Sequence, residues 1–368
     1  MNLTKYKDGY RVFCEKTING TRHRKTVFVK NKREAKLFEA EFIANLNKGK
    51  GSPTMRLDLY GQNYINNLDG LEQRTIDSYQ CAFNRIKPYI KYKLNEVNAD
   101  IWVSIYNKLK RKELAPRTIK HTFRIMKMIC DRAENVYGIK MGHGKFKTTV
   151  RLKVEDIDDP KALDLDQQQL LINYLTDHKE ENEIMYQTFI FCLIGIYTGM
   201  RTGEIGALTW KDIDLFNKTI DINKAISKSS TGEFIKEPKT KHSIRKITIH
   251  DIAVRELRKY KEHLESIGVV HHLSSWIFIN HSDPKSHTPV TVWSKRVPKV
   301  MKDVGIRGFS AHSLRHTHAS NLLMNNCPVV QVANRLGHKD ATVTLKVYAS
   351  FIEQLGVDFN EYMPKIHA

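Results

Sequence analysis

Three residue types that bind or react with phosphate occur close together in the stretch 310–351. A histidine and an arginine lie three residues apart at His312 and Arg315, a second histidine follows a Leu-Gly pair at His338, and a tyrosine follows at Tyr348. Arginine forms forked, permanently charged hydrogen bonds to phosphate oxygens, histidine exchanges protons near neutral pH, and a tyrosine hydroxyl can act as a nucleophile. The pattern therefore predicts a site that holds a phosphodiester in front of Tyr348.

A second arginine of the same site is predicted far upstream, at Arg201. It follows a long apolar segment and lies between glycines, which let a backbone approach a ligand closely. Taken alone, Arg201 would equally well be a surface residue paired with Glu204, about one helical turn later. Together with the downstream residues it predicts a second phosphate-binding guanidinium, which Glu204 orients.

The chain is strongly basic, which indicates the kind of partner it binds. Its 368 residues carry 60 lysines and arginines against 40 aspartates and glutamates, a formal net charge of +20. Solubility needs far less, since a net charge of about 2–8 suffices for a small domain. A solvated charged surface is the alternative, but the excess recurs in every region. We therefore expect a polyanionic partner, most often nucleic acid.

Composition also argues against several classes of protein. No apolar run reaches the roughly eighteen residues of a membrane span, and we expect no secretory signal. The five cysteines are scattered without a C-x-x-C pair, which is typical of a reducing cytoplasm rather than a disulfide framework or zinc cluster. His312 and His316 are four residues apart, but no carboxylate ligand pattern accompanies them, so we expect no metal. We expect His316 and His318 to be packing or hydrogen-bonded histidines.

Residues 1–50 predict a small module of strands followed by a helix. Residues 10–16 alternate apolar and polar types, Asn19-Gly20 is a two-residue hairpin signal, and residues 24–29 form the returning strand. Asn31 can then cap a helix. A Gly-, Lys- and Ser-rich linker follows this module.

Residues 55–145 predict a helical bundle, because their apolar residues recur at helical spacing. We expect Thr75 and Asn98 to cap two of its helices and Pro116 to open another. Basic residues on the hairpin of the first module and around the turn before Pro116 are candidates for DNA contact, although exposed charge alone would explain them. These candidates are Arg22, Arg24, Lys25, Lys108, Lys110, Arg111, Arg117 and Lys120.

Residues 160–368 predict a mixed α+β region that is mostly helical. A capping box at Asp166 starts a helix, residues 186–198 form a helix buried on all sides and ended by Gly199, and Asp251 caps a further helix. Three short strands should form one small antiparallel sheet: residues 219–222, 233–236 and 244–249. A basic, aperiodic linker, residues 142–156, precedes this region.

The order of the reactive residues resembles the catalytic motif of the tyrosine recombinases, the integrase family of temperate phages and conjugative transposons. The family's arginine, lysine, His-x-x-Arg, histidine and tyrosine are matched by Arg201, Lys239, His312, Arg315, His338 and Tyr348. The lysine match rests on Lys239-Thr-Lys-His-Ser-Ile-Arg245, which is similar to the family's strand-turn lysine. Lys236 and Lys241 stay open as alternatives.

The resemblance implies a multidomain, mainly α chain. It implies an arm-type DNA-binding module of small sheet plus helix at 1–50, a helical, SAM-like core-binding domain at 55–145 and a catalytic domain at 160–368. It further implies a DNA strand transferase that needs no metal, ATP or other cofactor. The enzyme would work as a homotetramer on double-stranded DNA, and the last two domains of each chain would clamp the duplex between them. An excisionase and a host DNA-bending protein are the expected accessory partners, in the cytoplasm of a bacterial host.

The residue types suggest how the work is divided. Arg201 and Arg315 would hold the phosphodiester and the charge of its transition state. His312 would accept the tyrosine proton while His338 bonds the phosphate, and the two histidines could share these roles. The family lysine, Lys239, would protonate the departing 5′-oxygen.

Two other functions fit the same sequence. A DNA-binding regulator could use this scaffold without catalysis, and a type IB topoisomerase-like enzyme would relax supercoils without a specific site. The attachment-site sequences, the crossover spacing, the preference for integration or excision and the accessory factors do not follow from the sequence.

Overall fold

The computed structural model describes most of the chain: residues 2–6, 8–18, 21–47, 55–143, 161–237, 244–269, 272–338, 340–342, 344, 345 and 348. The chain divides into two compact units, Met1–Val154 and Glu155–Ala368. The division falls in the predicted linker, most of which lies outside the described residues. The further division of the first unit into two domains stays a prediction.

The first unit begins with a three-stranded antiparallel sheet covered by one helix. The strands are β1 (Asn2–Tyr6), β2 (Gly9–Ile18) and β3 (Thr21–Val29), in the order β1-β2-β3, and the helix is α1 (Lys32–Asn47). Ile18 pairs with Thr21, while the Asn19-Gly20 turn itself lies outside the described residues. Asn31 caps α1, since its side-chain oxygen accepts the Glu34 backbone N–H at 2.9 Å. Val12 of β2 and Phe38 of α1 lie in the shared core.

Among the described residues of this unit, four α-helices follow: α2 (Leu57–Asn66), α3 (Gln73–Ile86), α4 (Ala99–Lys110) and α5 (Pro116–Tyr137). They enclose their own core, which includes Phe83, Trp102 and Ile129. The predicted cap at Asn98 and opening proline at Pro116 are confirmed. Thr75 is not a cap. Helix α3 begins at Gln73, and the Thr75 N–H already bonds the Glu72 carbonyl at 2.8 Å.

The sheet module and the helices of the first unit are in contact. The guanidinium of Arg132 in α5 lies 3.5 Å from the Glu41 carboxylate and 5.8 Å from the centre of the Phe38 ring, both in α1. Burial raises the pKa of Glu41, and the nearby Arg132 charge opposes that rise. The sheet module therefore has its own core, and its helix α1 also contacts α5 through the Arg132 guanidinium.

The second unit is built around one buried helix. Its helices are α6 (Leu165–His178), α7 (Glu183–Thr198), α8 (Thr202–Gly206), α9 (Asp251–Ser266), α10 (Val290–Asp303), α11 (Ser313–Met324) and α12 (Val329–Leu336). Helix α7 is buried along nearly its whole length, as its apolar sequence predicts, and it contacts α6, α9 and α11. None of the described helices is long and apolar enough to cross a membrane.

Short strands frame one side of this helical core. They are β4 (Ile213–Asp214), β5 (Thr219–Ile222), β6 (Ala225–Ser229), β7 (Gly232–Lys236), β8 (Arg245–Thr248), β9 (Ile279–Asn280) and β10 (Asp283–His287). The strand order in the three-stranded sheet is β4-β5-β8, whereas β6-β7 and β9-β10 are separate hairpins. The prediction that β7 joins β5 and β8 is therefore wrong. A tight turn at Gly232, whose φ is +125°, folds β7 back onto β6 first.

Two helix starts in this unit also differ from the sequence expectation. The capping residue of α6 is Asp164 rather than Asp166, because Asp164 and Gln167 satisfy each other's backbone N–H groups. Helix α9 is capped by His250 rather than Asp251, and the His250 ring accepts the Ile252 N–H at 3.3 Å. In each case a polar residue just before the predicted one accepts a hydrogen bond from a free N–H group at the helix start.

Candidate active site

Arg315 lies in the first turn of α11 and is only 4% exposed. Its guanidinium donates hydrogen bonds to the Gly199 carbonyl at 2.7 Å and the Leu336 carbonyl at 2.8 Å, which lie at the ends of α7 and α12. Carbonyls at helix C-termini carry partial negative charge, so they stabilise the buried cation. Burial, and then the charge of Arg201, lower the Arg315 pKa to about 9. Arg315 therefore stays charged at neutral pH and is fixed in place.

The two helix ends that hold Arg315 both need a glycine. Gly199 and Gly337 have φ values of +65° and +69°, a region where a side chain is strained. A Cβ on Gly199 would lie 2.6 Å from the His318 ring, and one on Gly337 would lie 3.0 Å from the Arg245 guanidinium. Both positions therefore require glycine for two reasons: the backbone conformation is left-handed, and side chains of other elements lie where a Cβ would be.

Arg201, just before α8, contributes the second guanidinium. It donates to Glu204 Oε1 at 2.8 Å and to the Gly337 carbonyl at 3.4 Å. Since Arg315 bonds the preceding carbonyl, Leu336, the two arginines converge on consecutive residues of the chain. The Arg201 side chain is 41% exposed, so it has N–H groups that can face a ligand.

Glu204 orients two arginines rather than one. Its buried carboxylate accepts hydrogen bonds from Arg201 and, at 2.9 Å, from Arg245 of β8. Burial raises the Glu204 pKa, but the Arg245 hydrogen bond and the charges of both arginines outweigh it and hold the pKa below its usual range. The carboxylate is therefore ionised at neutral pH and anchors both cations.

A second layer of hydrogen bonds holds these elements together. Arg245 donates to the Arg335 carbonyl at 2.8 Å, and Arg335 donates to the Thr248 carbonyl of β8 at 2.8 Å and to His318 Nε2 at 2.9 Å. The other ring nitrogen of His318 donates to the Ile196 carbonyl at 2.8 Å. These bonds join β8, α7, α11 and α12, which explains how residues distant in sequence meet. Arg245 appeared in the sequence only as part of the lysine motif, and Arg335 gave no sequence signal.

His338 follows Gly337 and points at Arg315. Its Nε2 lies 2.9 Å from the Arg315 guanidinium, and its Nδ1 lies 2.7 Å from the Thr344 hydroxyl. Because arginine only donates, Nε2 is the acceptor and Nδ1 carries the proton. Loss of hydration and the Arg315 charge lower the His338 pKa to about 4. The ring is therefore neutral and bound to the residue that would hold a phosphate.

Tyr348 is 2% exposed, and its hydroxyl lies 2.8 Å from His316 Nδ1. Burial raises its pKa above the ordinary phenol value, although the Arg315 charge acts in the opposite direction. From sequence His316 is predicted to be a packing or hydrogen-bonded histidine. The structure places it on the oxygen of the predicted nucleophile. Its position four residues after His312, on the same helix face, was the available signal.

His312 lies one turn earlier, at the exposed start of α11. Its ring is perpendicular to that of His316, with centroids 4.9 Å apart. Neighbouring atoms displace part of its hydration and, with the charges of Arg315 and Arg201, lower its pKa. The structure therefore brings His312 into the cluster but not onto the Tyr348 hydroxyl, whose partner among the described residues is His316.

The lysine of the site is not placed. Lys239 and Lys241 lie outside the described residues, and Lys236 is the last residue of β7. The choice among these three stays open.

The predicted DNA-contacting residues occupy different environments. Arg24 pairs with Glu15 at 2.8 Å, while Lys25 points to the opposite face of the sheet and is half-buried. Burial and the Arg132 charge lower its pKa, so Lys25 is less suited to contact DNA. Arg22 lies in β3, but its side chain is outside the described residues. The remaining five candidates are all exposed where α4 ends and α5 begins: Lys108, Lys110, Arg111, Arg117 and Lys120.

Comparison with known proteins identifies the class. The model of the phage integrase family matches residues 161–353, more than half of the chain. The chain therefore belongs to the phage integrase family, the tyrosine recombinases.

Particular relatives extend this result. The chain is 29% identical over 172 residues to the ICEBs1 integrase of Bacillus subtilis, a match that spans only 45% of that protein. It is 27% identical over 318 residues to the integrase of Staphylococcus phage L54a, across 81% of this chain and 88% of that protein.

Solved structures share the fold. A Tn1549 transposon integrase in complex with transposon right end DNA is 16% identical with a TM-score of 0.66, covering 82% of this chain and 100% of that one. A lambda integrase tetramer bound to a Holliday junction is 15% identical with a TM-score of 0.56, covering 100% of this chain and 97% of the other. The mainly helical, multidomain fold predicted from sequence is confirmed.

Proposed function

We propose that the chain is a site-specific DNA recombinase, an integrase, that cuts and rejoins DNA strands through a 3′-phosphotyrosine at Tyr348. The observation that carries the proposal is the convergence of Arg201 and Arg315 on the consecutive carbonyls of Gly337 and Leu336. Two fixed guanidiniums side by side match the negative charge that develops on the non-bridging oxygens during attack on phosphorus. His338 bonds Arg315 directly, so a histidine also lies beside the arginine that would hold the phosphate.

The chemistry follows from these residues. Arg201 and Arg315 bind the phosphodiester, and the Tyr348 oxygen attacks phosphorus while a histidine takes its proton. The bond to the 5′-oxygen then breaks, and a lysine of the segment 236–241, with Lys239 the first candidate, gives that oxygen a proton. Phenol, with a pKa near about 10, is a better leaving group than an alcohol. An incoming 5′-hydroxyl can therefore reverse the reaction without ATP or a metal ion.

The rest of the chain would bind the DNA on which this site acts. The exposed basic residues at the junction of α4 and α5 suit the phosphates of a core site, and Arg24 on the first sheet suits a second, arm-type site. We propose a homotetramer on two duplexes, assisted by an excisionase and a host DNA-bending protein, acting in the cytoplasm to integrate and excise a mobile element. The integrase names of the relatives, and the DNA and tetramer in the related structures, support the integrase activity and the tetramer on DNA.

The test is covalent capture. Duplexes covering the genomic DNA that flanks the gene, each with a nick that lets the cleaved end diffuse away, are incubated with the full chain in EDTA. We expect a protein–DNA adduct that resists denaturation and maps to Tyr348. Tyr348→Phe should form none, whereas Tyr197→Phe, a change to a tyrosine stacked on His250, should form it normally.

Other outcomes would contradict the proposal in distinct ways. No adduct from the native chain would indicate a DNA-binding regulator without catalysis. Relaxation of any supercoiled plasmid, whatever its sequence, would indicate a topoisomerase. Cleavage that EDTA abolishes would indicate a metal-dependent nuclease.

A further inference from the structure

The geometry points to His316, rather than His312, as the group that takes the proton from Tyr348 during strand cleavage and returns it during rejoining. This inference rests on the proposed function. It starts from the 2.8 Å separation of His316 Nδ1 and the Tyr348 hydroxyl. A general base must lie within hydrogen-bond reach of the proton it removes, and among the described residues His316 meets that condition.

The arrangement of the two histidines supports separate roles. His316 is half-buried beside the buried Tyr348, whereas His312 is exposed at the N-terminal end of the same helix. Their rings meet edge to face at 4.9 Å, so they act as neighbours without sharing the tyrosine. His312 is thereby left facing the solvent side of the site, where the DNA phosphate must arrive.

The charge state of His316 suits a proton acceptor. Loss of hydration, followed by the effects of His312 and Arg315, lowers its pKa to about 4, so the ring is neutral at physiological pH. A neutral imidazole has one nitrogen that can accept a proton. A phosphodiester bound to Arg315 would offset the Arg315 contribution, the smallest of these three, and to that extent would make His316 a stronger base.

Cleavage and rejoining each move one proton between Tyr348 and His316. As the Tyr348 oxygen forms its bond to phosphorus, its O–H bond breaks and the proton passes to His316 Nδ1. The phosphorus–O5′ bond breaks with its electron pair, and the 5′-oxygen takes a proton from the general acid. In rejoining, the 5′-oxygen bonds phosphorus while its proton returns to the group that served as general acid. The bond between phosphorus and the Tyr348 oxygen breaks with its electron pair, and His316 returns the proton to that oxygen.

The competing explanation is that His316 only holds the tyrosine in position. The variant His316→Asn separates the two, because the asparagine amide can bond the hydroxyl but cannot accept its proton. On the nicked duplex mapped by covalent capture, we expect His316→Asn to form the adduct at least about 100-fold more slowly in a single turnover, within the range for a lost general base. His316→Gln is a second variant with the same expectation, and thermal unfolding of both verifies the fold.

The matched control is His263→Asn. His263 contacts Glu183, at the opposite end of α7 from Gly199, so the same chemical change is made away from the site. Its rate of adduct formation should equal that of the native chain.

A fluorinated tyrosine at position 348 provides the decisive measurement. Ring fluorines lower the phenol pKa from its usual value near about 10, so a fluorinated residue ionises with less help from a base. If His316 removes the proton, fluorination should restore at least about tenfold of the rate lost in His316→Asn and change the native chain much less. A positioning role predicts no such rescue.

The outcomes separate this inference from the proposed function. If the native chain forms the adduct and both His316→Asn and His316→Gln are slowed by less than about threefold, the role of His316 is overturned and the proposed function stands. A slow variant without rescue would likewise reduce His316 to a positioning residue. Absence of any Tyr348 adduct in the native chain would overturn both.

Discussion

The basic residues of the two units are held in opposite ways. In the second unit, Arg315 and Arg245 are buried, and each donates to backbone carbonyls or to Glu204. In the first unit, Lys110 and Arg117 lie on an exposed junction between α4 and α5. Buried guanidiniums that several hydrogen bonds hold in place present fixed charges to one phosphate. Exposed flexible side chains instead attract many phosphates weakly and are screened by salt. Substitutions around Arg315 should therefore mainly slow cleavage or lower stability, whereas substitutions at the junction of α4 and α5 should change the salt dependence of DNA binding.

The largest effect is expected at Arg315. Arg315→Lys keeps the charge but loses the fork that bonds the Gly199 and Leu336 carbonyls at the same time. We expect single-turnover adduct formation to fall by about 10²–10³, as for loss of a preorganised transition-state donor. Binding to uncleaved DNA should change much less. An equal loss of binding and of rate would show that Arg315 serves only affinity.

Glu204→Gln tests the anchor beneath the arginines. Removing one partner of a buried ion pair typically costs about 3–5 kcal/mol, so the variant should be less stable by about that amount at neutral pH. The Glu204 pKa is lowered on folding, so its stabilisation is present above the ordinary carboxyl pKa and is lost as pH falls through the folded value. The native chain should therefore lose more stability than Glu204→Gln between neutral pH and acid.

Denaturant unfolding at several pH values measures both quantities. The neutral-pH difference gives the cost of removing the carboxylate, and its decrease toward acid gives the linkage. A difference that is independent of pH would contradict the assignment of the charge to Glu204.

Gly337→Ala tests the helix end that both arginines share. The left-handed backbone should cost about 1–2 kcal/mol, and the new Cβ would meet Arg245. Gly305→Ala is the matched control, since its φ is +82° but nothing lies within 4 Å of the added Cβ. Both variants should lose stability in thermal unfolding. Only Gly337→Ala should also slow cleavage, and an equal effect of the two on cleavage would rule out a role for the Arg245 clash.

The smallest effect is expected on the first unit. Lys110→Ala and Arg117→Ala should each reduce the slope of log affinity against log salt by about 0.9 for every DNA phosphate that the side chain neutralises, without changing stability. Lys285→Ala, which removes another exposed lysine, in β10, is the control and should leave the slope unchanged. Salt titrations of binding to the mapped duplex measure these slopes, and unchanged slopes would argue against DNA binding at this junction.

Much of the local structure was predictable from sequence because short-range physics decides it. A nearly uninterrupted apolar run predicted α7. Asn31 and Asn98 bind the N–H groups at their helix starts, and Pro116 opens α5. The predicted capping residue was wrong where two nearby polar residues could each cap a helix, as at the start of α6. The pairing of β7 was wrong because spacing along the chain does not show which strand an edge will meet.

The chemical types of the predicted site follow from the sequence: two arginines, His312, His338 and Tyr348 in a fixed order. Tertiary structure alone decided that Arg245 would join Glu204 and that His316 would face the tyrosine oxygen. The physical reason is that a side chain's partners depend on the packing of α7, α11, α12 and β8. These elements meet through hydrogen bonds between residues distant in sequence, such as Arg315 and Gly199, which are 116 positions apart. No local pattern encodes such contacts.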